Sequence, residues 1–101
     1  MHEAAARFDW DAGNRTKCQK HGVTLEQIED VFRGSIRVFP DPAHSAAEVR
    51  RLGIGRTGGR YVLVAFTLRV TAGERFIRPI SARFMHAKEI KHYESQVEGL
   101  K

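Results

Sequence analysis

Two arginines stand close together in the run Phe76-Ile77-Arg78-Pro79-Ile80-Ser81-Ala82-Arg83. A guanidinium is always charged and presents a rigid fork of donors that matches phosphate. Held on a strand, Arg78 and Arg83 would form a phosphate-handling surface. The plainer reading is a solvated strand face, the usual fate of a charge run. Glu48 and Arg50 share the parity of Leu52 and Ile54 on one expected strand. Unpaired charges are rarely buried. The pair is therefore either the wet, frayed start of that strand or the rim of a groove that binds phosphate and moves a proton. Tyr93 follows Glu89 by one helical turn. Its ring packs in the core with a wet hydroxyl, or its hydroxyl sits beside the arginines. Histidine's unperturbed pKa lies near neutrality, which makes His21 a candidate acid or base. Lys20 and His21 otherwise complement a helix C-terminus.

Other motifs carry less. Gly53-Ile54-Gly55-Arg56-Thr57-Gly58 matches a dinucleotide fingerprint, but such a site needs a helix to follow. Arg60 to Val70 reads as a strand, so the glycines are expected to make a hairpin and a close backbone approach. Cys18 and His21 have a C-x-x-H spacing with no second pair, and His86 and His92 face different directions on a helix. Zinc wants three or four converging ligands, so neither a metal nor a cofactor is expected.

Charge is unevenly spread. Residues 50–91 hold ten Lys/Arg and two acids, a balance of +8, against +5 for the whole chain and therefore −3 for the rest. A basic surface this concentrated attracts polyanions. An acidic protein would fit as well; an anionic membrane fits least, because the charges lie mainly on strands. The longest apolar run, Val62 to Phe66, is too short to span a bilayer. Met1 to Arg7 has no apolar core and is not expected to be a signal peptide. One cysteine excludes an internal disulfide, and a cytoplasmic setting is the default.

The 101 residues are expected to form one domain, residues 1–101, with no linker or repeat. Residues 8–10 could form a short edge strand. Residues 14–21 suggest a polar helix ending at Gly22. Thr24 and Gln27 fit a capping box, after which Leu25, Ile28, Val31 and Phe32 share one helical face. Strands are expected at 35–39, 47–56, 60–70 and 75–82. Pro79 places the last at an edge or a bulge. A helix at 86–97 would turn Ile90, Tyr93 and Val97 inward. The order is that of an α+β domain, helices packed against an antiparallel sheet.

Phe8-Asp9-Trp10-Asp11, Lys20-His21-Gly22-Val23 and Val31-Phe32 resemble the opening of the BrnT toxin family. Asp41 with His44-Ser45, Glu48-Val49-Arg50, Ile54-Gly55, Ile77 to Arg83, and Glu89 with Tyr93 follow in the same order. The resemblance implies a RelE-like α+β fold with two N-terminal helices and one C-terminal helix on the sheet. It implies a small ribonuclease toxin held inactive by a cognate ribbon-helix-helix, BrnA-like antitoxin. Operator DNA would be met only through the toxin–antitoxin complex.

The expected reaction is metal-independent RNA cleavage, in which the 2′-hydroxyl, a group DNA lacks, attacks the adjacent phosphate. Arg50, Arg78 and Arg83 are candidates to stabilise the charge on phosphorus. Glu48 or His21 would be the base, and His21, Lys20 or Tyr93 the acid. Lys20, Arg51, Arg56 and Lys88 are candidates to hold the RNA strand. The rival expectation is a non-catalytic basic module that binds nucleic acid or a partner protein.

Overall fold

The computed structural model describes residues 7–99. Helix α1 spans Ala12–Cys18 and α2 Leu25–Arg33; strands β1, β2, β3 and β4 span Arg37–Pro40, Arg51–Thr57, Arg60–Thr71 and Glu74–Phe84; helix α3 spans Ala87–Gly99. The strands form an antiparallel sheet in the order β1-β2-β3-β4. This is the expected α+β architecture, with β3 interior and β4 at an edge.

Local chemistry sets the helix starts. Asp11 caps α1: its Oδ1 accepts the Asn14 N–H at 3.0 Å while the Asn14 Oδ1 accepts the Asp11 N–H at 2.7 Å. That reciprocal cap starts α1 at Ala12, two residues before the expected 14–21 helix, and α1 ends at Cys18. Gly22 still turns the chain with a positive φ of 90°. The Thr24–Gln27 capping box opens α2 as expected. Ile28 and Val31 of α2 then bury completely against Val62, Val64 and Phe66 of β3, with Cys18, Val23 and Ala82 completing the core.

One sheet face is therefore covered by α1 and α2. The residues of β2 on that face are Gly53, Gly55 and Thr57, not Leu52 and Ile54. A Cβ on Gly55 would lie 2.8 Å from Val31 Cγ1, so a side chain there would push α2 off the sheet. Leu52 and Ile54 turn to the other face, which α3 covers only in part. There Tyr93 packs edge-on to Phe39 and Tyr61, with ring centroids 6.3 and 5.7 Å apart. Ile90, Tyr93 and Val97 are half-buried, as the helical spacing suggested.

Several boundaries differ from expectation. The strand at 8–10 is a single parallel bridge, Phe8 to Ile77, on the outer edge of β4. The 47–56 strand begins only at Arg51, because the Arg50 N–H is taken by the Ser45 hydroxyl at 3.0 Å, so Glu48 and Arg50 lie in the segment before β2. The last helix runs 87–99 rather than 86–97, since His86 is its capping residue and donates its N–H to Glu89. Both hairpins use two-residue turns with positive φ, Gly58-Gly59 and Ala72-Gly73. Such turns match the twist of paired strands. The glycine-rich stretch is thus a hairpin and a close approach.

The β4 strand bulges where Pro79 cannot donate to the ladder. Ala65 pairs with Ser81 and Phe66 with Pro79, leaving Ile80 as the extra residue. The Asn14 amide nitrogen donates to the Pro79 and Asp9 carbonyls, each at 2.9 Å. Asn14→Ala would leave those carbonyls and the α1 cap unsatisfied. A buried group left so costs about 1–3 kcal/mol. We expect the unfolding free energy to fall by that amount, read as a lower urea midpoint with an unchanged urea dependence; a midpoint equal to wild type would show that Asn14 does not hold the bulge.

Candidate nucleic-acid interface and active site

Arg78 and Arg83 are five residues apart, an odd spacing that would send them to opposite faces of a regular strand. The extra residue at the bulge corrects the parity. Arg78 lies opposite Thr67 and Arg83 opposite Leu63, so both point to the face away from α1 and α2. Their partners lie four positions apart on β3, about 13 Å at strand rise.

At one end of this face the charges interlock. Arg78 pairs with Asp11 at 2.9 Å and Asp9 at 3.5 Å. Arg69 donates twice to Glu48, at 3.1 and 3.2 Å, and reaches Asp9 at 3.9 Å. The Arg69 guanidinium holds the Glu48 carboxyl below the ordinary range, and Glu48 in turn raises Arg69. The Asn14 N–H, then Arg78, lower Asp11. Within this network two polar atoms are buried with no hydrogen-bond partner: Arg50 Nε and Thr67 Oγ1. Thr67 is only 1% exposed. Arg50 directly precedes Arg51, whose partner is Phe66, so Arg50 and Thr67 lie at the same level of the sheet. Arg50 has no carboxylate partner among the described residues. Its Nε is the buried guanidinium donor of this face left without a partner.

Farther along, Arg83 forms a bidentate pair with Glu89 at 2.7 and 2.8 Å. Arg83, then the His86 N–H, hold the Glu89 carboxyl at about 2. His21 shares a recess of about 230 Å³ with Ser81 and Arg83. Tyr93 sits apart from Arg78, among the Phe39 and Tyr61 rings. Of the expected strand-holding cations, Lys20 and Lys88 are exposed. Arg56 lies 4.9 Å over the Tyr61 ring and donates to the Gly59 carbonyl. Arg51 alternates to the α2 side, away from Arg78 and Arg83. Burial pushes the Cys18 thiol up to about 11, so it sits in the core as an inert hydrophobe while His21 is exposed.

Sequence reasoning passed over Arg69, Thr67 and Asp9. Arg69 has the same parity as Leu63 and Thr67, a signal that was present. The reach of Asp9 and Asp11 to Arg78 had no local signal, because it depends on the chain lying along the edge of β4.

A curved face of arginines with carboxylates between them defines a small α+β protein that handles a polyanion. The family match carries this further. The chain belongs to the family of ribonuclease toxins, BrnT, of type II toxin–antitoxin systems, whose description matches residues 10–89. RNA is thus its substrate and an antitoxin its partner. Among the described residues, three α-helices and a four-stranded antiparallel sheet agree with the BrnT, RelE-like fold. Comparison with curated proteins returned no match. No helix among the described residues is long and apolar enough to cross a membrane.

The Glu89 carboxyl yields a pH prediction. A carboxyl depressed on folding adds stability that is complete above its unfolded value and lost as pH falls through its folded value. For Glu89 the window runs from 4.5 down to about 2. Glu89→Gln lacks this increment, so the stability difference between wild type and variant should shrink steadily across that window. Urea midpoints measured at several acidic pH values test this; a constant difference would mean the pair does not couple to folding.

Proposed function

We propose that this protein is a metal-independent endoribonuclease whose scissile phosphate sits on Arg50 and Arg78. The observation that carries this is that Arg50 Nε and the Thr67 hydroxyl, at one level of the sheet, are both buried without a hydrogen-bond partner. Buried polar groups are normally satisfied. A phosphate oxygen supplies what these two donors lack. Glu48, ionised beside Arg69, accepts the proton of the attacking 2′-hydroxyl. Arg78 exchanges part of its hold on Asp9 and Asp11 for phosphate as charge builds on phosphorus. Arg83, His21 and Lys20 bind the strand farther along, with Arg56, Lys88 and Arg51 as outlying phosphate contacts and Tyr93 as a stacking surface at its far end. Metal independence is supported by the carboxylates themselves: Glu48, Asp9 and Asp11 already serve arginines rather than standing as ligands for a divalent ion.

We also place the toxin in the cytoplasm with a ribbon-helix-helix, BrnA-like antitoxin. An acidic segment of that partner covers the face bearing Arg50, Arg78 and Arg83, and operator DNA is bound only through the complex. A +8 balance over residues 50–91 favours an acidic cover.

Purified toxin should cleave RNA in excess EDTA, and Arg50→Ala should lower the rate by about 10²–10³ with no change in fold, the usual cost of one lost donor. Cleavage that requires added Mg²⁺, or salt-dependent RNA binding with no cleavage at all, would overturn the mechanism. In stoichiometric complex with its antitoxin the toxin should neither bind nor cut RNA. Raising salt should slow association more than it speeds dissociation. Undiminished cleavage by a stable complex would put the antitoxin elsewhere.

A further inference from the structure

One titratable pair, in the connection that leads into β2, has no part in the mechanism above. In the short turn Pro42–His44 between β1 and β2, His44 Nδ1 lies 3.1 Å from Asp41 Oδ1. The two ends of the pair differ in setting. The Asp41 side chain is 13% exposed and the His44 side chain 64%. A mostly covered carboxylate thus orients an imidazole whose outer edge is open to solvent. With Nδ1 held by Asp41, Nε2 is the nitrogen left to exchange a proton with a ligand.

The turn is locked to Arg50. The Asp41 N–H donates to the Arg50 carbonyl at 3.2 Å. The Ser45 hydroxyl donates to the Asp41 carbonyl at 2.7 Å and accepts the Arg50 N–H at 3.0 Å. Asp41 and Arg50 are therefore joined through their backbones and the Ser45 hydroxyl, which ties the turn bearing His44 to the residue bearing the unpaired guanidinium. The other candidate, His21, has no hydrogen-bonded carboxylate among the described residues.

Resting on the ribonuclease reading above, we propose that His44 is the general acid and Asp41 the residue that positions it. The 2′-oxygen bonds to phosphorus as the bond from phosphorus to the 5′-oxygen breaks. The 2′-hydroxyl proton passes to Glu48, and the proton on Nε2 of the His44 imidazolium passes to the departing 5′-oxygen. The products are a 2′,3′-cyclic phosphate and a 5′-hydroxyl. Water then returns both side chains to their starting protonation states.

A leaving group that needs no proton separates this role from a structural one. The substrates are two RNAs, one natural and one with sulfur replacing the bridging 5′-oxygen at the cleaved bond. His44→Gln should cut the natural RNA about 10²–10⁴-fold more slowly, the usual share of a general acid. On the sulfur RNA it should run within a few-fold of wild type, because a thiolate leaves unprotonated. Asp41→Asn should show a smaller loss with the same recovery. Melting temperatures check that both variants fold. Equal losses on both RNAs would make the pair structural, and no loss on natural RNA would remove His44 from the chemistry. If wild type cuts neither RNA, the ribonuclease reading falls and this role with it.

Discussion

The side-chain amide of Asn14 joins the parts of this protein that must meet. It caps α1 through Asp11, holds the Asp9 carbonyl and holds the carbonyl of Pro79 at the β4 bulge. Every polar atom of the amide is used, in a buried setting where an orphan would be costly. Through it the N-terminal segment is fixed along the edge of β4, where the Asp9 N–H donates to Ile77 at 2.8 Å. Asp9 and Asp11 are thereby delivered to Arg78. The same contact braces the bulge, and the bulge decides which way Arg83 points.

The two faces of the sheet divide the work. Glycines at 53 and 55 let α2 approach closely enough for Ile28 and Val31 to bury against β3. That face supplies the hydrophobic stabilisation. The other face is left half-covered, because α3 is held chiefly by the Tyr93 aromatic contacts and the Arg83–Glu89 pair. An open face can carry charge without the desolvation cost that a sealed one would impose.

Three arginines of that face are not free. Arg69, Arg78 and Arg83 each have carboxylate partners, and the partners hold their side chains in place before any ligand arrives. Such pairs are partly exposed, so they contribute little to stability, but they preorganise the donors. They also moderate the self-repulsion of a strongly basic surface. Arg50 has no carboxylate partner among the described residues, and the Ser45 hydroxyl ties its backbone to the turn at Asp41.

Much of the plan was legible in the chain. Capping residues at Thr24 and Gln27, the apolar spacing of α2, the paired glycines at 58 and 59, and the donor-less Pro79 are local signals read from neighbours in sequence. The resemblance of Lys20-His21-Gly22 and Ile80 to Arg83 to BrnT pointed to the family that the match over residues 10–89 establishes. Helix and strand ends were less legible, because Asn14 and Ser45 redirect hydrogen bonds that a periodic pattern would assign to the ladder or the helix. The sequence by itself determined the elements, their order and the basic character of the second half, since those follow from propensity, spacing and charge. Only the tertiary structure decided which arginines share a face and which stand unpaired. The extra residue at Ile80 reverses parity, and the carboxylates that neutralise Arg78 come from a segment nearly seventy positions away. Contacts that distant are set by packing, and no local pattern encodes them.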